Sequence, residues 1–131
     1  MVAPITPRED WTTVRNFCKA IADAFVVMAP DRYTANMAKA KRTGKIYVDY
    51  VRNTRGSTSI APYSTRAKLH ATVSVPLRWE ELSGRVRPDT YTVGNLDERL
   101  RRFKDDPWEG FAEARGRQTI TNAMKRAVGI G

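Results

Sequence analysis

The sequence predicts an α+β fold, a small mixed or antiparallel sheet with helices packed on it. Three observations predict it. Apolar residues at 11, 14, 17, 18, 21, 22, 25 and 26 repeat with the period of one helix face. Runs 46–51 (Ile-Tyr-Val-Asp-Tyr-Val) and 71–75 (Ala-Thr-Val-Ser-Val) are rich in β-branched and aromatic residues, as strands are. The length, 131 residues, suits a single small core.

Residues 1–9 read as an extended lead-in with prolines at 4 and 7. Thr6 or Asp10 is placed to cap the helix that follows, and Glu9 stands three residues after Thr6 in capping-box spacing. The helix covers 11–28 and ends before Pro30. Trp11 and Phe17 lie on its apolar stripe and are expected in the core, with Cys18 as a small buried hydrophobe. Residues 30–34 read as a turn, and Thr34 is placed to cap a short helix through about Ala40, with Met37 facing the core. Gly44 then breaks the chain before the 46–51 strand. Side chains alternate along a strand, so Tyr47, Asp49 and Val51 are expected on one face and Ile46, Val48 and Tyr50 on the other.

Residues 52–57 form a polar, basic turn, and 59–63 an extended segment in which Pro62 limits sheet pairing. Arg66 and Lys68 stand two apart, so an extended segment places them on one face. Pro76 ends the 71–75 strand. A short helical turn (77–82), a loop (83–89) and a brief extended piece (90–93) follow. Asn95 is placed to cap a helix over 96–103, with Asp97 and Glu98 at its positive end. Asp106 caps a last turn with Pro107 in first position and Trp108 and Phe111 packing inward. The basic stretch 115–131 carries Ile120, Met124 and Val128 at helical spacing, at a terminus where fraying concentrates.

Net charge is +9 and the isoelectric point about 10.1. That balance suits a polyanionic partner: nucleic acid, nucleotide phosphates or an anionic membrane surface. No apolar run approaches the roughly 20 residues of a membrane span, and the N-terminus lacks the features of a signal peptide. One cysteine and one histidine give no intrachain disulfide and too few ligands for structural zinc. A reducing, cytoplasmic setting is expected.

The charge is not evenly spread. From Lys39 to Lys68 there are eight cations (39, 41, 42, 45, 52, 55, 66, 68) and one acid, Asp49. A carboxylate holds a divalent cation through oxygen, and Lys or Arg clamps the phosphates such a metal bridges. A lone carboxylate in a strand is costly to bury unless paired. The pattern leaves two readings of Asp49 equally open: a metal ligand, or an ion pair with an arginine at a sheet edge. Arg52 lies three residues on, so a bend after Tyr50 is needed to bring it to Asp49.

The run 39–53 (Lys-Ala-Lys-Arg-Thr-Gly-Lys-Ile-Tyr-Val-Asp-Tyr-Val-Arg-Asn) and 61–67 (Ala-Pro-Tyr-Ser-Thr-Arg-Ala) resemble the polymerase domain of bacterial DNA ligase D, in the archaeo-eukaryotic primase superfamily. Asp10-Trp11, 30–34, 75–82, 91–95 and 106–111 match in the same order, over about residues 2–112. The resemblance implies the C-terminal half of a primase-polymerase fold, residues 1–115, followed by a basic tail, 116–131. It implies template-directed nucleotidyl transfer at DNA ends in non-homologous end joining. The family holds two divalent metals, Mn or Mg, with three aspartates, and Asp49 matches the third, as catalytic metal ligand. Arg52 and Arg66 match cations that hold the incoming triphosphate, and Lys68 stands where the family often has arginine. Implied partners are DNA ends, NTP or dNTP, a chain supplying the other polymerase half, and Ku; the implied setting is the bacterial nucleoid, with no membrane.

The family's Asp-x-Asp pair and Ser-Gly-x-x-Gly-x-His motif do not occur in these residues. Asp105-Asp106 reads as a cap instead, and His70 as a loop or strand-end residue. One carboxylate makes a poor two-metal site, so the chain alone is expected to hold metal weakly and not to polymerise. Three readings follow: a polymerase half active only with another chain, a non-catalytic basic module that binds nucleic acid or nucleotides, and a decaying gene fragment. An exposed sheet edge is expected to promote self-association.

Overall fold

The computed structural model describes residues 2–82 and 84–130. Met1, Ser83 at the head of the 83–89 loop and Gly131 lie outside the described residues. Helices α1 (Trp11–Met28), α2 (Leu96–Arg102), α3 (Phe111–Arg117) and α4 (Asn122–Ala127) and strands β1 (Tyr33–Thr34) and β2 (Ile46–Tyr47) make up the main elements. The chain divides into two units. One runs to Thr58 and resumes at Ala114; the other is Ser59–Glu113. Among the described residues no helix is long and apolar enough to cross a membrane.

In the first unit α1 forms over the expected span. Asp10 is its cap, with Oδ1 accepting the Thr13 N–H at 2.7 Å. Thr6 instead ties the lead-in to the chain's end, donating its hydroxyl to Arg115 O at 2.7 Å. Phe17 and Ala22 are buried on the apolar stripe. Trp11 is 56% exposed, against expectation. It stands at the first position of α1, whereas the helix meets β1 near its other end, where Phe25 packs on Tyr33 with ring centroids 5.0 Å apart.

β1 and β2 are parallel, with Tyr33 opposite Ile46 and Thr34 opposite Tyr47. Tyr33–Thr34, expected in a turn that leads into a short helix, is a strand. That helix is absent. The Thr34 hydroxyl accepts the Asn36 N–H at 3.2 Å, and Asn36 Oδ1 accepts the Ala38 N–H at 2.9 Å. Such local side-chain bonds compete with a helix for the backbone. A 3₁₀ turn at Lys39–Arg42 forms instead, and Met37 is exposed rather than in the core. At the C-terminal end the Thr121 hydroxyl caps α4 by accepting the Met124 N–H at 3.2 Å. Ile120 is buried, Lys125 pairs with Glu9 at 2.7 Å, and Gln118 donates to Pro4 O at 2.6 Å.

The second unit is joined by isolated antiparallel bridges, Thr65 with Val73 and Thr72 with Thr92. The expected 71–75 strand is thus a bridge segment between two neighbours. Trp79–Glu81 makes the expected helical turn, of 3₁₀ type. Asn95 precedes α2 but does not cap it; its Oδ1 accepts the Thr92 N–H at 2.8 Å and its amide donates to Thr90 O at 2.9 Å. Trp108 stacks on Phe111 at 4.0 Å. Asp106 accepts the Trp108 N–H at 2.9 Å, as a cap does, and also the Tyr63 hydroxyl.

At the centre of this unit is a charged residue, which the sequence reading passed over. Arg99 is 6% exposed. Its guanidinium pairs with Glu81, Nη2 to Oε2 at 2.9 Å, donates to Pro76 O at 2.7 Å and to the Tyr91 hydroxyl at 2.8 Å, and lies 4.9 Å from the Phe103 ring centre. Its signal in the sequence is spacing: Leu96, Arg99 and Phe103 fall on one helix face.

Candidate functional site

Asp49 lies just beyond β2, not within a strand. Val48 makes the last sheet-like bond, its N–H donating to Thr34 O at 2.9 Å. β1 ends at Thr34, so the chain beyond Val48 has no neighbour to pair with. The Asp49 carboxylate takes over: Oδ1 accepts the N–H of Val51 at 3.0 Å and of Arg52 at 3.3 Å. This Asx-type turn bends the backbone. The alternating faces expected through Val51 therefore do not form. The bend that Arg52 required is made by Asp49 itself, and Arg52 Nε comes to 3.2 Å from Oδ2. Asp49 is half-buried, while the Arg52 side chain is 68% exposed. An ion pair so open to water contributes at most about 1 kcal/mol.

Aromatic rings and cations surround this turn within the first unit. Arg42 lies over the Tyr47 ring at 3.8 Å. Burial and the Asp49 carboxylate push the Tyr47 phenol above its ordinary range. Arg15 and Lys19, from α1, lie 5.7 and 5.8 Å from the centre of the Tyr50 ring. The sequence reading missed these two because they stand outside the basic run; their i, i+4 spacing on α1 was the available signal. Two cations of the run are engaged with backbone. Lys45 donates to Pro30 O at 2.8 Å, and Arg42 donates to Met37 O.

Arg66 and Lys68 belong to the second unit, on a hairpin between the 63–65 and 72–75 segments. Arg66 N–H donates to Thr72 O at 2.7 Å, and Ser74 N–H to Ser64 O at 3.0 Å. Lys68 N–H donates back to Arg66 O at 2.8 Å, so the segment turns at once and the shared extended face does not form. Arg66 is half-buried and Lys68 exposed. His70 and Ala71 close the tip with φ of 64° and 47°, in the left-handed region that side chains disfavour. His70 lies in a 3₁₀ turn over Leu69–Ala71, where a loop or strand end was expected.

These residues do not by themselves fit a two-metal centre. Among the described residues no three His, Cys, Asp or Glu side chains cluster as metal ligands. Asp49 Oδ1 already accepts the Val51 and Arg52 N–H groups, and Oδ2 is ion-paired with Arg52 Nε. Asp106 serves a turn and Tyr63.

The family described as "LigD, primase-polymerase domain" matches residues 1–108. The multifunctional non-homologous end joining protein LigD of Pseudomonas aeruginosa is 37% identical over 132 aligned residues, 100% of this chain and 16% of that protein. The bifunctional LigD of Bacillus subtilis is 30% identical over 100 residues, 76% of this chain and 16% of that protein. A solved structure of the polymerase domain of Mycobacterium tuberculosis ligase D in complex with DNA superposes with a TM-score of 0.69 at 30% identity, over 79% of this chain and 35% of that one. The chain thus spans about a sixth of the length of the relatives it matches. With the family match over most of its length and a relative aligned throughout, this chain belongs to the LigD primase-polymerase domain family.

Proposed function

We propose that this chain forms part of a DNA-repair polymerase domain that acts in template-directed nucleotidyl transfer at DNA ends during non-homologous end joining. The observation that carries this reading is the 37% identity with a non-homologous end joining protein along the whole chain. Within it, Asp49 is the catalytic carboxylate and contributes one ligand to a divalent Mg or Mn site. The remaining ligands come from a segment carrying the Asp-x-Asp pair and the histidine motif. Arg52 and Arg66 take the incoming triphosphate, and Lys68 supplies a further point charge. Cations there offset the phosphate charge that grows during transfer. The partners are DNA ends, NTP or dNTP, the segment completing the polymerase, and Ku, in a cytoplasmic, nucleoid setting. Residues 1–115 are the polymerase part and 116–131 a basic tail.

Primer extension on gapped DNA with manganese tests the reading. The isolated chain incorporates nothing, and mixing it with a polypeptide that carries the missing motifs gives template-dependent incorporation. Asp49→Ala in the mixture abolishes it. Full extension by the isolated chain, or retained activity with Asp49→Ala, overturns the assignment.

A further inference from the structure

Arg99 is the one charged side chain buried among the described residues. A buried ion pair is seldom more stabilising than apolar residues of the same volume, so its retention calls for another account. The account is in what the guanidinium joins. It reaches three separate segments, at Pro76, Glu81 and Tyr91. Two of them border the hairpin that carries Arg66 and Lys68. Pro76 closes the 72–75 segment, and Tyr91 O accepts the Val73 N–H at 2.9 Å. Val93 N–H donates to Ala71 O at 3.1 Å, and Tyr63 N–H to Ser74 O at 2.6 Å. The register of 64–66 is thus set by 72–75, and 72–75 is held by the elements that Arg99 ties together.

The hairpin needs such support. His70 and Ala71 occupy left-handed backbone at the tip, and Tyr63 does so at the base, with φ of 62°. Non-glycine residues persist there only where their surroundings fix them. The tip therefore does not set its own shape; the base must.

We propose that Arg99 is a positioning residue that fixes the Arg66–Lys68 hairpin from beneath. The proposal rests, for its functional consequence, on the reading of Arg66 as a triphosphate contact. Arg99→Lys keeps the charge and loses the planar fork that spans several acceptors at once.

Amide hydrogen exchange and ATP binding, measured on the full chain, test it. In Arg99→Lys the amides of Arg66, Val73 and Ser74 exchange about tenfold faster or more, as expected from the loss of a charge-assisted bond, while those of α1 keep their rates. The folded variant binds ATP several-fold more weakly, whereas a purely structural residue lowers the melting temperature and leaves that affinity unchanged. Unchanged exchange at the three hairpin amides in folded Arg99→Lys overturns the proposal. If the variant does not fold, the wild-type protein decides: the three amides must open together with those of α2, and exchange about tenfold faster than α2 refutes the clamp. If Arg66→Ala leaves ATP affinity unchanged, the triphosphate reading fails while the exchange result still decides the positioning.

Discussion

Replacing Glu81 with glutamine leaves Arg99 charged, 6% exposed and without its counter-ion. Removing one partner of a buried pair costs about 3–5 kcal/mol, because the other charge stays desolvated. Two contacts survive here, to Pro76 O and the Tyr91 hydroxyl, and the glutamine oxygen still accepts one bond. The loss is therefore expected near the lower end, about 3 kcal/mol, or on the order of 10 °C in melting temperature for a chain of this size. Urea denaturation followed by circular dichroism at pH 7 measures it. The same carboxyl gives the sign of an acid effect. Bonds from Arg99 hold the Glu81 carboxyl below its ordinary value of 4.5, with burial opposing. A carboxylate lowered on folding contributes stability above its unfolded value, and that contribution fades as pH falls through the folded one. Glu81→Gln flattens this part of the acid limb. A loss below about 0.5 kcal/mol in the single variant refutes the reasoning, because that is the range of surface substitutions.

Three further outcomes are expected. Burial, followed by the hydrogen bond to Asp106, pushes the Tyr63 phenol up to about 12; its contribution to stability is full below the ordinary value of 10 and is lost as pH rises through 12, so denaturation at pH 9–12 shows a weaker alkaline dependence in Tyr63→Phe. Arg52→Ala combined with Arg66→Ala raises the nucleotide concentration needed for half-maximal extension in the reconstituted polymerase by about tenfold or more, with a smaller rise for Lys68→Ala; an unchanged requirement removes the triphosphate assignment. His70→Gly relieves a left-handed φ of 64° and leaves stability unchanged or raises it by about 1 kcal/mol, the strain removed being partly offset by the freer unfolded chain; chemical denaturation reads the difference.

Elements with a local cause were legible in the sequence. α1 follows from one apolar stripe, the Asp10 cap and Pro30. Trp79–Glu81 and the Asp106 cap followed from short-range rules in the same way. What escaped was set by the partner rather than by the segment. Tyr33–Thr34 is a strand only because Ile46–Tyr47 lies beside it, and β2 stops at Tyr47 only because β1 stops at Thr34. The motif around Asp49 identified the residue, but not that its own oxygen bends the chain and draws in Arg52. Arg99 escaped because a cation on a helix next to solvated arginines reads as another solvated one; only its helical phase with Leu96 and Phe103 hinted otherwise.

The first unit is built from both ends of the chain, with Thr6 bonded to Arg115 and Gln118, and Glu9 paired with Lys125. The second unit is one continuous stretch between them. During synthesis the second unit leaves the ribosome whole while the first still lacks Gln118, Ile120 and Lys125. The lead-in before α1 thus gains its partners only when residues 115–125 have emerged. Bringing the two ends together across so long an intervening stretch carries a loop-closure cost that grows only with the logarithm of its length, and prior folding of the second unit shortens the effective loop. A nascent chain cut after Glu113 therefore keeps the Arg99 network complete and the N-terminal lead-in unanchored.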